Sequence, residues 1–97
     1  MYYLYILYSP DYDKYYVGQT NDIERRLFEH NHNPRMTYTH KFRPWVLKCS
    51  YMISENRGDV IRIERYIKRQ KSRKILEDLI QDSNYIEEIK HKVLKTK

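Results

Sequence analysis

Ninety-seven residues with 19 Lys+Arg against 13 Asp+Glu carry a formal charge of +6. That length suits one domain with a small core, and that charge favours a polyanionic partner through counterion release and steering. The single cysteine, Cys49, excludes an intramolecular disulfide and a cysteine-histidine zinc site; with no apolar stretch of spanning length and no leader pattern, a reducing cytoplasm without a membrane partner is expected.

Residues 2–8 (Tyr-Tyr-Leu-Tyr-Ile-Leu-Tyr) are rich in aromatic and branched side chains and stop at Ser9-Pro10-Asp11, which predicts a strand, with residues 15–19 as its hairpin partner. Asn21 or Asp22 caps a helix running to about His30, with Asn31 as its terminator. Residues 32–41 mix His, Asn, Pro, Arg and Thr without a period and read as a loop. Pro44-Trp45 leads into a third strand over residues 46–53. The spacing of Val60, Ile63 and Ile67 marks a helix over residues 57–70, and Ser72 caps another carrying Ile75, Leu76, Leu79 and Ile80. Ser83 opens a last helix with Ile86, Ile89 and Val93 on its apolar stripe and a lysine-rich end over residues 90–97.

Alternation places Leu4 and Ile6 on one face of the first strand and Tyr3, Tyr5 and Leu7 on the other. If Leu4, Ile6 and Val17 pack beneath the first helices, Tyr5 and Tyr16 lie side by side on the opposite face, with Gly18 leaving room for a ligand. Tyrosine is also simply a good strand former, and this chain has eleven. On the first helix Arg26 sits at the margin of the Ile23–Leu27 stripe, placed to grip a phosphate with two parallel hydrogen bonds. His30, one turn on, suits proton transfer, phosphate contact or packing.

Glu64 falls between Val60 and Ile67 on the buried side of its helix. A carboxylate there needs either a cation such as Arg26 or a bound divalent metal, of which Mg²⁺ asks for only one or two carboxylates. Tyr38 and His40 sit where a loop overhangs such a site. Residues 1–56 hold seven basic and six acidic groups and residues 57–97 twelve and seven, so the positive excess is local. Its densest part, residues 62–74, includes Arg65, Lys68 and Arg69, either a track for a nucleic-acid backbone or a solvated helix face.

Taken together, Tyr3-Leu4-Tyr5, Tyr16-Val17-Gly18, the run from Asp22 to His30, the Thr37-Tyr38-Thr39 and Arg43-Pro44 pieces, and Ile63-Glu64-Arg65-Tyr66-Ile67-Lys68-Arg69 resemble the GIY-YIG nuclease superfamily. The likeness is to its small single-domain branch, labelled UPF0213 or YhbQ-like, with Tyr3 standing where the first motif has glycine. The resemblance implies an α+β fold, a three-stranded antiparallel sheet flanked by helices. Residues 1–80 would form the catalytic domain and residues 81–97 a C-terminal helical extension of it. It implies an endonuclease hydrolysing DNA phosphodiesters in repair or recombination, with Tyr5, Tyr16, Arg26, His30 and Glu64 catalytic, Glu64 holding Mg²⁺ or Mn²⁺, and Tyr38, His40, Arg65, Lys68 and Arg69 touching nucleic acid. One metal site cuts one strand, so a double-strand break calls for a homodimer or a protein partner. The rival readings are a nucleic-acid-binding module without turnover and an interaction protein targeted through the last helix.

Overall fold

Leu4, Ile6 and Leu7 are fully buried and Tyr5 is 2% exposed, so the first strand is covered on both faces. Such a strand belongs in the middle of a sheet. In the computed structural model, which describes residues 1–95, β1 (Tyr2–Ser9) runs between β2 (Lys14–Thr20) and β3 (Val46–Ser54) in an antiparallel sheet of order β2-β1-β3. The helices flanking it are α1 (Ile23–His32), α2 (Thr37–Lys41), α3 (Arg57–Gln70), α4 (Arg73–Gln81) and α5 (Tyr85–Leu94). The fold is α+β. The last two residues of the expected lysine-rich end lie outside the described residues.

The two faces are covered differently from the sequence expectation. Leu4, Ile6 and Val17 pack not under the first helices but under the last three, against Val60, Ile63 and Ile67 of α3, Leu79 of α4, and Ile86 and Ile89 of α5. Tyr5 and Leu7 pack with Trp45 and with Ile23 and Leu27 of α1. The third strand decides this. Its Cys49, Tyr51 and Ile53 widen the Leu4 face across all three strands, whereas its other side presents Lys48, Ser50 and Met52, all exposed. A broad apolar face takes three helices; the narrower one takes α1 and the single turn of α2.

Local chemistry sets the element ends. The side chains of Asp22, Asn56 and Ser72 accept from the backbone N–H groups of Arg25 (3.1 Å), Gly58 (2.8 Å) and Ile75 (3.3 Å), capping α1, α3 and α4. Helix α1 runs past Asn31 to His32, because the Asn31 amide is used elsewhere: it donates to the Trp45 carbonyl at 3.0 Å and accepts from the Trp45 N–H at 2.7 Å. Residues 37–41 are the helix α2 rather than loop. The Trp45 indole N–H holds that turn by donating to the Thr39 carbonyl at 2.8 Å. The last helix begins at Tyr85, two residues after Ser83. Between α3 and α4, Lys71 takes the left-handed conformation (φ 48°, ψ 41°) and turns the chain sharply.

Ile63 is fully buried at the centre of the larger core. Ile63→Ala is expected to cost about 2–5 kcal/mol of unfolding free energy, read from urea midpoints at an unchanged m-value.

Candidate active site

Strand register builds the site. Tyr5 pairs with Gly18 and Leu7 with Tyr16, so Tyr5 and Tyr16 share the α1 face with ring centroids 6.4 Å apart. Gly18 does not leave a gap for a ligand: a Cβ there would come within 2.6 Å of the Tyr5 Cζ, so the Tyr5 ring itself fills that space.

The Tyr5 hydroxyl lies 2.7 Å from Nε2 of His30, a fully buried residue whose ring meets Tyr16 edge-on at 4.8 Å. Arg26, one turn earlier on α1, approaches the same hydroxyl. A guanidinium only donates, so the Tyr5 oxygen serves as the acceptor toward Arg26. Burial raises the Tyr5 pKa far above the ordinary phenol value, outweighing the opposing pull of Arg26, and the phenol stays neutral. Burial, reinforced by the charges of Arg26 and Arg43, lowers His30 to about 4. Its Nδ1 is buried without a hydrogen-bond partner among the described residues.

Arg26 pairs within its own helix, Nη1 to Glu29 Oε1 at 3.0 Å. Partial burial works against its charge, but the contacts with Glu29 and Tyr5 prevail and raise its pKa. Glu64, with its side chain 18% exposed, is not met by Arg26. It accepts from Lys68 Nζ at 2.7 Å, and that ammonium sits 5.5 Å from the Tyr16 ring centroid. The i,i+4 spacing of α3 delivers Lys68 to Glu64, while Arg26 is engaged by Glu29. Glu64 nonetheless remains within electrostatic reach of the Tyr5 hydroxyl.

Two hollows open along the edge strand β2. One is lined by Gln19 and Thr20 with Arg25, Arg26 and Arg57. The other, of about 630 Å³, is lined by Tyr15, Tyr16 and Val17 with Tyr38, Lys68, Lys71 and Arg73. Tyr16 and Arg26 thus border open space, whereas Tyr5, His30 and Glu64 line neither hollow. Tyr38 overhangs, its ring 6.2 Å from that of Tyr16. His40 turns away, its Nδ1 accepting from Arg43 Nη1 at 2.7 Å. Arg65 and Arg69 face a separate groove toward α5.

Arg43, Trp45 and Asn31 are supports that residue-by-residue reading missed. Arg43 donates Nε to the His30 carbonyl at 2.6 Å and Nη2 to those of Glu29 and Asn33, closing the end of α1. Nothing in their spacing announces this, whereas the i,i+4 offset of Glu64 and Lys68 was a usable signal. Cys49 is no nucleophile, since burial pushes its thiol up to about 11.

Residues 1–76 match the family described as the GIY-YIG catalytic domain. The chain belongs to the GIY-YIG family. A UPF0213 protein of Limosilactobacillus reuteri is 34% identical over 73 residues, covering 74% of this chain and 75% of the relative. A UPF0213 protein of Clostridium perfringens is 34% identical over 93 residues, covering 92% and 98%. A third, of Nitratidesulfovibrio vulgaris, is 36% identical over 70 residues, covering 72% and 62%. No solved structure matches the chain. The GIY-YIG family is a nuclease family, so its substrate is nucleic acid. Among the described residues no helix is long and apolar enough to cross a membrane.

The buried His30 makes stability depend on pH with a definite sign. Its imidazole ionises near 6.5 in the unfolded chain and about 4 in the folded one, so between those values the unfolded state binds more protons. Stability is expected to fall as pH drops from about 6.5 to about 4, by up to about 3 kcal/mol, and His30→Gln is expected to flatten that limb in urea titrations at stepped pH.

Proposed function

We propose that this GIY-YIG protein hydrolyses DNA phosphodiester bonds with the help of one divalent cation, Mg²⁺ or Mn²⁺, at Glu64, as expected of a repair or recombination nuclease. The observation that carries the reading is the gathering around the tyrosine pair. Tyr5 and Tyr16 share one face with ring centroids 6.4 Å apart, Arg26 stands one turn before the His30 that meets the Tyr5 hydroxyl, and Glu64 holds the Lys68 ammonium that lies 5.5 Å from the Tyr16 ring. A guanidinium and a carboxylate beside one tyrosine pair, each ion-paired within its own helix, suit a phosphate and a cation arriving together.

The donor set fits such a cation. Among the described residues no three His, Cys, Asp or Glu side chains cluster, but Mg²⁺ needs only one or two carboxylates when water and substrate oxygens complete its shell. Glu64 already holds a cation, the Lys68 ammonium, through an i,i+4 pair whose lysine end is 49% exposed, of the kind worth about 0.5 kcal/mol. When bound, the ion would supply Lewis-acid stabilisation of charge on the phosphate and leaving oxygen.

The protein groups divide the remaining work. Tyr16, bordering the hollow, orients or deprotonates the attacking water. Arg26 exchanges Glu29 for the phosphate and offsets the negative charge that grows there. Tyr5, buried and neutral, positions Arg26, and His30 fixes Tyr5 through the 2.7 Å hydrogen bond between its Nε2 and the phenol oxygen. Tyr38 closes over the substrate. The lone, inert Cys49 suits a reducing cytoplasm.

The test is nicking of supercoiled plasmid in Mg²⁺ or Mn²⁺ against EDTA. Glu64→Ala is expected to abolish metal-dependent nicking while keeping most of the DNA affinity, and Arg26→Ala to slow it by about two orders of magnitude or more. Undiminished nicking by purified Glu64→Ala protein removes Glu64 from the site.

A further inference from the structure

Beyond Arg57 and Lys68, the cations of α3 line neither hollow along β2. Arg62, Arg65 and Arg69 of α3, with Lys71 at its end and Lys92 of α5, line one groove around Tyr66, and no acidic side chain stands in its wall. Among the described residues Arg65, Arg69, Lys71 and Lys92 form no ion pair. Gathering like charges in this way opposes folding unless a polyanion uses them. The packing nevertheless holds them together. Arg62 Nη2 donates to the Val93 carbonyl at 2.7 Å, in the last turn of α5, and the Lys92 ammonium lies 5.6 Å from the Tyr66 ring centroid.

Lys71 is an independent sign. Its left-handed backbone is one that glycine adopts freely and a side-chain-bearing residue adopts at a cost. The turn it makes sets Lys71 on the rim shared by this groove and the hollow beside Tyr16.

We infer that the groove between α3 and α5 is a second phosphate-binding track, which takes the sugar-phosphate backbone of a nucleic acid beyond the cleavage point. It rests on the nucleic-acid reading above and adds a site to it. From Arg62 to Arg69 the helix rises about 10 Å, enough to follow a short stretch of sugar-phosphate backbone. Lys68 and Lys71 border both this groove and the hollow beside Tyr16, so a strand held at Tyr16 continues onto the track without leaving basic surface. Lys92 and Val93 lie beyond the 1–76 span of the family match, so one wall of the groove comes from outside that span.

Fluorescence anisotropy with a labelled duplex oligonucleotide in EDTA reads the track without cleavage. Arg69→Glu and Lys92→Glu are each expected to weaken binding by about tenfold and to lower the slope of log affinity on log salt by about one. Lys48→Glu, at an exposed position on β3, makes the same charge change and is expected to cost less than about threefold. Lys71→Gly is expected to weaken binding while keeping or raising the melting temperature, which a merely structural lysine does not do. Equal losses from Lys48→Glu and Lys92→Glu, undiminished binding by a folded Arg69→Glu/Lys92→Glu double variant, or a preference for phosphatidylserine vesicles over the oligonucleotide overturns the track. Binding that follows this pattern in a protein that never nicks plasmid upholds the track and removes the nuclease reading.

Discussion

The pairing of Tyr5 with Gly18 across β1 and β2 is the constraint on which the site depends. A slip of one residue would send Tyr5 into the α3 face and Leu4 under α1, exchanging every contact of both cores. Only a residue without a Cβ lets the Tyr5 ring lie where it does, and only there does its hydroxyl reach His30 at 2.7 Å. That bond orients α1, and α1 carries Arg26 one turn away. Burying a large side chain contributes about 1.5–3 kcal/mol, against about 0.5 kcal/mol for an exposed intrahelical ion pair. Packing therefore holds the frame, and the charges on it are free to change partners.

That freedom shapes the electrostatics. Arg26 rests on Glu29 and Glu64 on Lys68, each neutralised by its own helix. Under the proposed function, a phosphate coming to Arg26 and a cation coming to Glu64 would replace like charge with like charge at both places. The displaced Lys68 is already 49% exposed, so its return to water costs little desolvation. The buried pair behind them, Tyr5 and His30, is uncharged at neutral pH and has no such exchange to make.

Legibility in the sequence follows the same division. The α3 stripe of Val60, Ile63 and Ile67, the alternation of β1 and the caps Asp22 and Ser72 were readable because period and cap chemistry are local. Which helices cover which face was not, because β1 is apolar on both sides and the decision belongs to Cys49, Tyr51 and Ile53 on a strand forty residues away. Helix α2 was hidden for a related reason: its five residues have no period, and Trp45 and Arg43 hold it from outside. Glu64 was marked as a carboxylate needing Arg26 or a metal; Lys68 as its partner was not foreseen, because that required knowing that Glu29 had already claimed Arg26.

Helical geometry explains how one element turns a carboxylate to one flank and arginines to the other. At about 100° per residue, with Ile63 facing the sheet, Glu64 and Arg62 fall on opposite flanks of α3. Lys68 returns to within about 40° of Glu64, on the flank toward β2 and Tyr16, and Arg69 to within about 20° of Arg62, on the flank toward α5. Periodicity alone therefore sends the carboxylate to the tyrosines and the unpaired arginines to the groove. A shift of one residue in the α3 stripe would bury Glu64 or Arg62 against Leu4 and Ile6. The same apolar contacts that hold α3 on the sheet thus keep the two charged flanks apart.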